Sequence, residues 1–221
     1  MASSNHSHFC CAFRNWMAQQ QQDFHKLLAA DPAATSPQEL EHLRDKCTKH
    51  FKEYAERRAA MARQDAPCLL SPPWCSAFEN AFMWVGGCRP SLFIRLIYCV
   101  CGSELDGSNL AVLSARQLEM ISALQCKTVK EEDKFSTRIA SLKAHEEIAD
   151  EPLATMAKKS VGEVEAAMAA HEAAMAEVIC EADKLRMETL KEVMGILSPL
   201  QAVDLLIAAK QLHAANLQQR W

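Results

Sequence analysis

Eight histidines and ten cysteines carry most of the chemical potential of this 221-residue sequence, and their spacing decides what chemistry is open to them. A metal or haem site built on one helix wants two histidines a single turn apart. None are so placed: His42 and His50 are two turns apart, His145 and His171 fall on different segments, and His213 stands alone. His171 keeps a haem reading open, because it shares a stripe with Met168 and Met175 and a neutral imidazole inside a helical bundle can serve as an axial ligand. An ordinary hydrogen-bonded core histidine is the competing reading. Cys99 and Cys101 are too closely spaced along a helix to clamp one ion, and no Cys-x-x-Cys occurs, so no metal site is expected. The cysteines fit instead as small buried apolar residues of a reducing compartment.

Catalytic patterns are weaker still. Glu131-Glu132-Asp133 and Glu146-Glu147 are acidic runs with no nucleophile or second carboxylate placed opposite them. Gly86-Gly87 lacks the lysine and the spacing of a phosphate-binding loop, so an enzyme is not expected. The formal charge of −4 argues against a nucleic-acid surface. The longest apolar run, Leu92 to Cys101, is broken by Arg95 and is too short to span a membrane. The beginning of the chain lacks the form of a secretory signal, and a soluble intracellular protein is expected.

One stretch stands apart, Met83-Trp84-Val85-Gly86-Gly87-Cys88-Arg89-Pro90-Ser91. Its single cation, Arg89, must reach solvent, bridge carbonyl groups or pair with an acid, because an isolated buried charge is very costly. Two readings follow: a structural tie, or an anchor for an acidic head group such as the carboxylate of a fatty acid lying in a methionine-lined slot.

The elements that must position these residues read as helices. Phe9, Phe13, Trp16, Met17, Phe24, Leu27 and Leu28 recur every three or four residues, which predicts a helix from Phe9 ended by Asp31-Pro32 and leaves residues 1–8 as a disordered start. Ser36-Pro37 opens a second helix through Leu40, Leu43, Cys47, Phe51 and Tyr54 towards Met61. Ser71-Pro72-Pro73 reads as the cap and first turn of a third, running through Phe78, Phe82 and Trp84 to the glycine pair, where glycine closes the last turn and Pro90 opens the next helix. Leu92 to Val100 is too continuously apolar for a helix with a wet side, so this pair is expected at the centre of the fold. Ser114 caps a long helix carrying Leu118, Ile121, Phe135, Ile139 and Leu142, whose polar middle, Lys127 to Lys134, is expected to be solvated. Val161, Val164, Met168, His171, Met175, Val178, Ala182 and Leu185 mark a packed seam, and Ser198-Pro199 starts a last helix with Leu200, Val203, Leu206, Ile207 and Leu212 on its apolar side. The expectation is an all-α, single-domain antiparallel bundle of long helices over residues 9–221. The Phe13, Trp16 and Met17 face suits docking of a partner in helix-in-groove fashion, with a core face as the alternative.

Trp84-x-Gly86-Gly87-x-Arg89-Pro90-Ser91 resembles the signature of the plant DOG domain, found in delay-of-germination seed-dormancy proteins and in the C-terminal half of TGA-type bZIP transcription factors. Ala182-Asp183-x-Leu185-Arg186-x-x-Thr189-Leu190, the helix opened near Ser198 with the closing Trp221, and Phe13-x-x-Trp16-Met17 followed by glutamines are similar to other parts of that family. The resemblance implies a non-enzymatic plant regulator of seed dormancy, abscisic-acid response or transcription, nuclear and/or cytoplasmic. It further implies a homodimer with protein phosphatases or TGA-type bZIP factors as partners. It leaves open a ligand sensor, with haem held by His171 or a fatty acid anchored by Arg89. No basic region or leucine zipper precedes the first helix, so direct reading of the major groove is not expected and sequence-specific DNA association is indirect.

Overall fold

The computed structural model describes residues 2–30, 34–102, 110, 112–144 and 161–218. The protein is all-α: among the described residues are eight α-helices and no strand. They are α1 (Ala2–Ala29), α2 (Pro37–Ala62), α3 (Ala66–Leu70), α4 (Ala77–Phe82), α5 (Ser91–Gly102), α6 (Ala115–Ala144), α7 (Val161–Ile196) and α8 (Pro199–Gln218). None is long and apolar enough to cross a membrane.

Local sequence sets four of the helix starts by the same device. A serine side chain accepts from the backbone amide three residues on, and a Glu or Gln there reaches back to the serine amide, satisfying two otherwise orphaned donors. Ser36 and Glu39 do this for α2 (3.3 and 2.9 Å), Ser76 and Glu79 for α4 (3.1 and 2.7 Å), Ser114 and Gln117 for α6 (3.2 and 3.0 Å), and Ser198 and Gln201 for α8 (3.3 and 2.9 Å). Two of these caps are bolted together. Gln117 Nε2 donates to Gln201 Oε1 at 2.8 Å and to Ile196 O at 3.0 Å, which fixes the start of α6 against the corner between α7 and α8.

Helix α7 is the spine, packing on α2, α3, α5 and α6, while α8 packs on α1, α2 and α5. Its apolar positions serve two separate cores. Ala176, Val178, Ile179 and Ala182 pack with Phe9, Met61, Leu69, Trp84 and Val85. Leu190, Val193 and Met194, with Leu197 just past the helix end, pack with Leu27, Leu40, Ile94, Ile97, Ile121 and Leu205. Each buried Val, Leu, Ile, Phe or Met side chain among them contributes about 1.5–3 kcal/mol. Between the two runs lie Asp183, Arg186 and Thr189, all buried and all polar. A helix that buries charge at the junction of two cores must have partners waiting for it.

Several expectations need correction. Helix α1 begins at Ala2, so residues 2–8, read from the sequence as a disordered start, form its first turns. The segment from Ser71 to Trp84 is not one helix: Pro72 and Pro73 lie in an irregular turn, the cap is Ser76, and α4 ends at Phe82. A proline pair without a free amide suits a first turn, but the Ser76–Glu79 box supplies a stronger start a few residues later. Helix α5 does have a wet side, since Ile94, Ile97 and Val100 are buried while Leu92, Arg95 and Cys99 are exposed. Within the polar stretch Lys127–Lys134, Thr128 and Glu132 are buried, and Leu118 and Met168, expected on apolar faces, are exposed. The stop at Asp31-Pro32, His145 and Trp221 fall outside the described residues.

Candidate functional site

The chain leaves α4 through Met83, which is extended, and then reverses direction within four residues. Trp84 N donates to Gly87 O at 2.8 Å and Gly87 N to Trp84 O at 3.1 Å. Val85 and Gly86 both have positive φ, 49° and 65°. Two successive left-handed residues closed by such a pair form a type I′ turn, the tightest hairpin connection. The glycine pair is thus the second half of a reverse turn, not the closing residue of a helix as the sequence suggests. Gly86 is obligatory by position as well as by φ, because a Cβ there would lie 2.4 Å from Leu69 O. Val85 is a β-branched residue in a region such residues avoid, which costs about 1–3 kcal/mol unless its surroundings enforce it.

The enforcement comes from two arginines. Asp183 and Arg186 are three residues apart on α7 and share a face, and Arg58 of α2 meets them from the other side. Arg186 donates from Nε to Cys88 O at 2.7 Å, and from Nη2 to Val85 O at 3.1 Å and to Trp84 O. Arg58 Nη1 donates to Gly86 O at 2.9 Å. The carbonyls of residues 84, 85, 86 and 88 are therefore all held by guanidinium groups. Asp183 bridges the two cations, accepting from Arg58 Nε at 2.9 Å on Oδ2 and from Arg186 Nη1 on Oδ1. The Arg186 plane also lies 5.3 Å from the centre of the Trp84 ring, whose Nε1 donates to Ser136 Oγ at 3.4 Å.

Burial works against both charges. For Arg58, the loss of water lowers the pKa, but the Asp183 carboxylate and Tyr54 more than offset it and hold the group above its ordinary value. For Arg186, burial prevails over Asp183 and the value is lowered. Both groups remain protonated near neutral pH, since a guanidinium does not yield its proton under ordinary conditions. The arrangement clamps a strained loop in one shape.

The signature residues of the sequence gather on this loop. Trp84 is buried between α6 and Arg186, a Cβ on Gly87 would lie 2.9 Å from Arg186 Cζ, and Ser91 opens α5. Ser91 donates from N and Oγ to the two carboxylate oxygens of Glu132, at 2.7 and 3.0 Å. Pro90 is buried beside it. Of the three fates open to Arg89, it takes the first and reaches solvent. Its side chain is 52% exposed and its nearest acid is Glu132 at 4.0 Å, whereas the Arg186 side chain is 10% exposed. The cation tucked inside the bend comes from α7, 98 residues after the Cys88 carbonyl that it holds.

The other candidates lie elsewhere. Trp16 stacks on Tyr54 at 4.3 Å and meets Phe51 edge-on, and Phe13 lies 6.3 Å from Trp74, so with half-buried Met17 this face packs within the chain. His171 is half-buried on α7, ahead of the apolar run that starts at Ala176. An open cleft is lined by His6, Cys10, Phe13, Arg14 and Trp74, and neither Arg89 nor His171 is part of that lining. A second buried polar cluster joins α1, α2 and α8: Asp23 accepts from His50 Nδ1 at 2.7 Å, and Lys210 Nζ donates to Gln20 Oε1 at 2.6 Å and stands 3.9 Å from Asp23. Sequence reasoning missed Arg58, Asp183, Arg186 and Glu132 as partners of the loop. The signals were the Asp183–Arg186 spacing, which places an acid and a base on one helical face, and the place of both residues in the stretch that resembles the family.

A family profile described as seed dormancy control matches residues 7–99. Protein DOG1-like 3 of Arabidopsis thaliana is 36% identical over 197 residues, covering 79% of this chain and 69% of that protein. Protein RESPONSE TO ABA AND SALT 1, from the same plant, is 29% identical over 176 residues, 74% of this chain and 72% of its own length. Transcription factor TGA2, also of Arabidopsis thaliana, is 28% identical over 200 residues, 87% of this chain but 57% of the factor.

Proposed function

Because the chain belongs to the DOG1-like family of seed-dormancy proteins, we propose that it is a non-enzymatic adaptor in seed dormancy and abscisic-acid response, working by protein–protein contact. The observation that carries this reading is the breadth of the match. Between 74% and 87% of the chain aligns with a DOG1-like protein, a protein named for response to abscisic acid and salt, and a transcription factor. The clamped loop fits such a role through its exposed end, Cys88 and Arg89, because a rigid surface keeps its recognition geometry without the entropic cost of ordering on binding.

The adaptor acts as a homodimer and engages a TGA-type factor or a protein phosphatase, in the nucleus or the cytoplasm. Its association with DNA is indirect, in keeping with the formal charge of −4. Purified chain, mixed with a TGA-type factor on its DNA site, is expected to shift the complex further while leaving free duplex unbound. Light scattering is expected to give twice the chain mass. Tight, sequence-specific binding of free duplex by the chain alone, or failure to join any dormancy-linked factor in reconstituted mixtures, contradicts the proposal.

A further inference from the structure

The first turns of α1 are tied to the corner before α3 by a set of side chains that the clamped loop does not use. His6 Nε2 lies 3.6 Å from Asp65 Oδ2, and the donor atoms of His6, Asp65 and Cys68 all lie within 4.8 Å of one another. Local structure explains why they converge. Asp65 caps α3 through Oδ1, which accepts from Cys68 N at 3.0 Å. That bond fixes Cys68 beside it and leaves Oδ2 turned to His6. Among the described residues this is the group of metal-ligating side chains that converges on one point.

We propose that His6, Asp65 and Cys68 bind one divalent ion of the zinc class, with water in the fourth position, and so lock the start of α1 onto the α2–α3 corner. A tetrahedral ion with bonds of about 2.0–2.3 Å sets its ligand atoms roughly 3.3–3.8 Å apart. The His6–Asp65 separation of 3.6 Å already meets that, and the sulfur, within 4.8 Å of both, has about 1 Å at most to close. One nitrogen, one oxygen and one sulfur donor select a borderline ion over magnesium or calcium, which take oxygen alone. Cys68 is buried and His6 exposed, so the ion would be held from below by sulfur and reached from solvent past the imidazole. His6 also lines the open cleft, which accommodates the water-bearing position.

The test titrates the full chain, stripped with a chelator, with Co²⁺ alone and then displaces it with Zn²⁺. One Co²⁺ per chain is expected, with a thiolate-to-cobalt charge-transfer band that Zn²⁺ abolishes stoichiometrically. Cys68→Ser removes the band. His6→Gln, at an exposed site where folding is not at stake, weakens Co²⁺ binding at least about 10–100-fold, the loss typical even of groups one step removed from a metal. Asp65→Asn keeps an oxygen to cap α3 and weakens binding comparably. Zn²⁺ also slows hydrogen exchange in residues 2–14 of the natural chain and not in His6→Gln. No Co²⁺ bound, or a band unchanged in both Cys68→Ser and His6→Gln, overturns the site; neither outcome bears on partner binding by the adaptor.

Discussion

Two buried polar clusters hold this molecule together, and they solve the same problem with different side chains. At the hairpin, Arg58 and Arg186 flank Asp183 and spend their remaining donors on backbone carbonyls. Between α1, α2 and α8, Lys210 and His50 flank Asp23, and the partners there are side chains, with Gln20 and Gln19 completing the set. A guanidinium offers five donors in a fixed fork and keeps its charge, so it can dictate the shape of a loop. An ammonium is a point charge that can shed its proton when burial makes it costly. The first cluster is therefore a rigid template, and the second a tie whose strength depends on pH.

The largest effect that separates them is loss of the acid. Asp183→Ala leaves two buried guanidinium groups without a counter-charge and is expected to lose about 3–5 kcal/mol in chemical denaturation. Asp23→Ala is expected to lose less, about 1–3 kcal/mol, because Lys210 can become neutral. Equal losses would erase the distinction.

Next in size is the loop itself. Gly86→Ala places a methyl group against Leu69 O at a φ of 65°, and is expected to cost about 2–3 kcal/mol, visible as a lower denaturant midpoint with an unchanged slope.

The smallest effect is the pH response of the second cluster. Burial lowers the pKa of Lys210, more than Cys47 and Asp23 raise it, so the unfolded chain holds the extra proton between that lowered value and 10.5. Stability therefore rises with pH across this window, by at most about 1.4 kcal/mol per pH unit. Cys47 beside it works the other way. Burial pushes its thiol up from 9.0 to about 11, so its contribution is complete below 9.0 and is lost as pH passes through 11. Subtracting the profile of Lys210→Met, which retains Cys47, is expected to leave a rising curve; a flat difference would show that Lys210 is not desolvated as described. Arg186→Met is expected to show no such rise relative to the natural chain, since the guanidinium does not titrate there.

Much of the scaffold was legible because helix starts are written locally. Ser36-Pro37, Ser114 and Ser198-Pro199 announce three of the helices by cap chemistry alone, and the Val178–Ala182–Leu185 spacing finds the packed side of α7. The bend at Gly86-Gly87 was legible as a bend but not in kind. Glycine serves equally at the end of a helix and in the left-handed half of a type I′ turn, and only the pairing of Trp84 with Gly87 decides between them. Its charge partners were only faintly legible, in the spacing of Asp183 and Arg186 and their place in the family-like stretch. Arg89 is the one cation in the stretch, whereas the arginines that fill the bend lie on α2 and α7 and become neighbours only once the chain has folded. Glu132 was hidden the same way, as one acid in a run of charges, although it is the one that caps α5. Side-chain period finds faces; it does not say which polar residue on a face will be buried.

The most direct test compares two conservative changes of one residue type. Arg186→Lys keeps the charge but cannot reach four acceptors at once, and is expected to lower the folding free energy by about 2–3 kcal/mol. Arg89→Lys, in the signature stretch itself, is expected to change it by less than about 0.5 kcal/mol. Denaturant unfolding of both variants beside the natural chain decides the matter. A large loss at position 186 with none at 89 supports a loop clamped from α7, and the reverse order would contradict it.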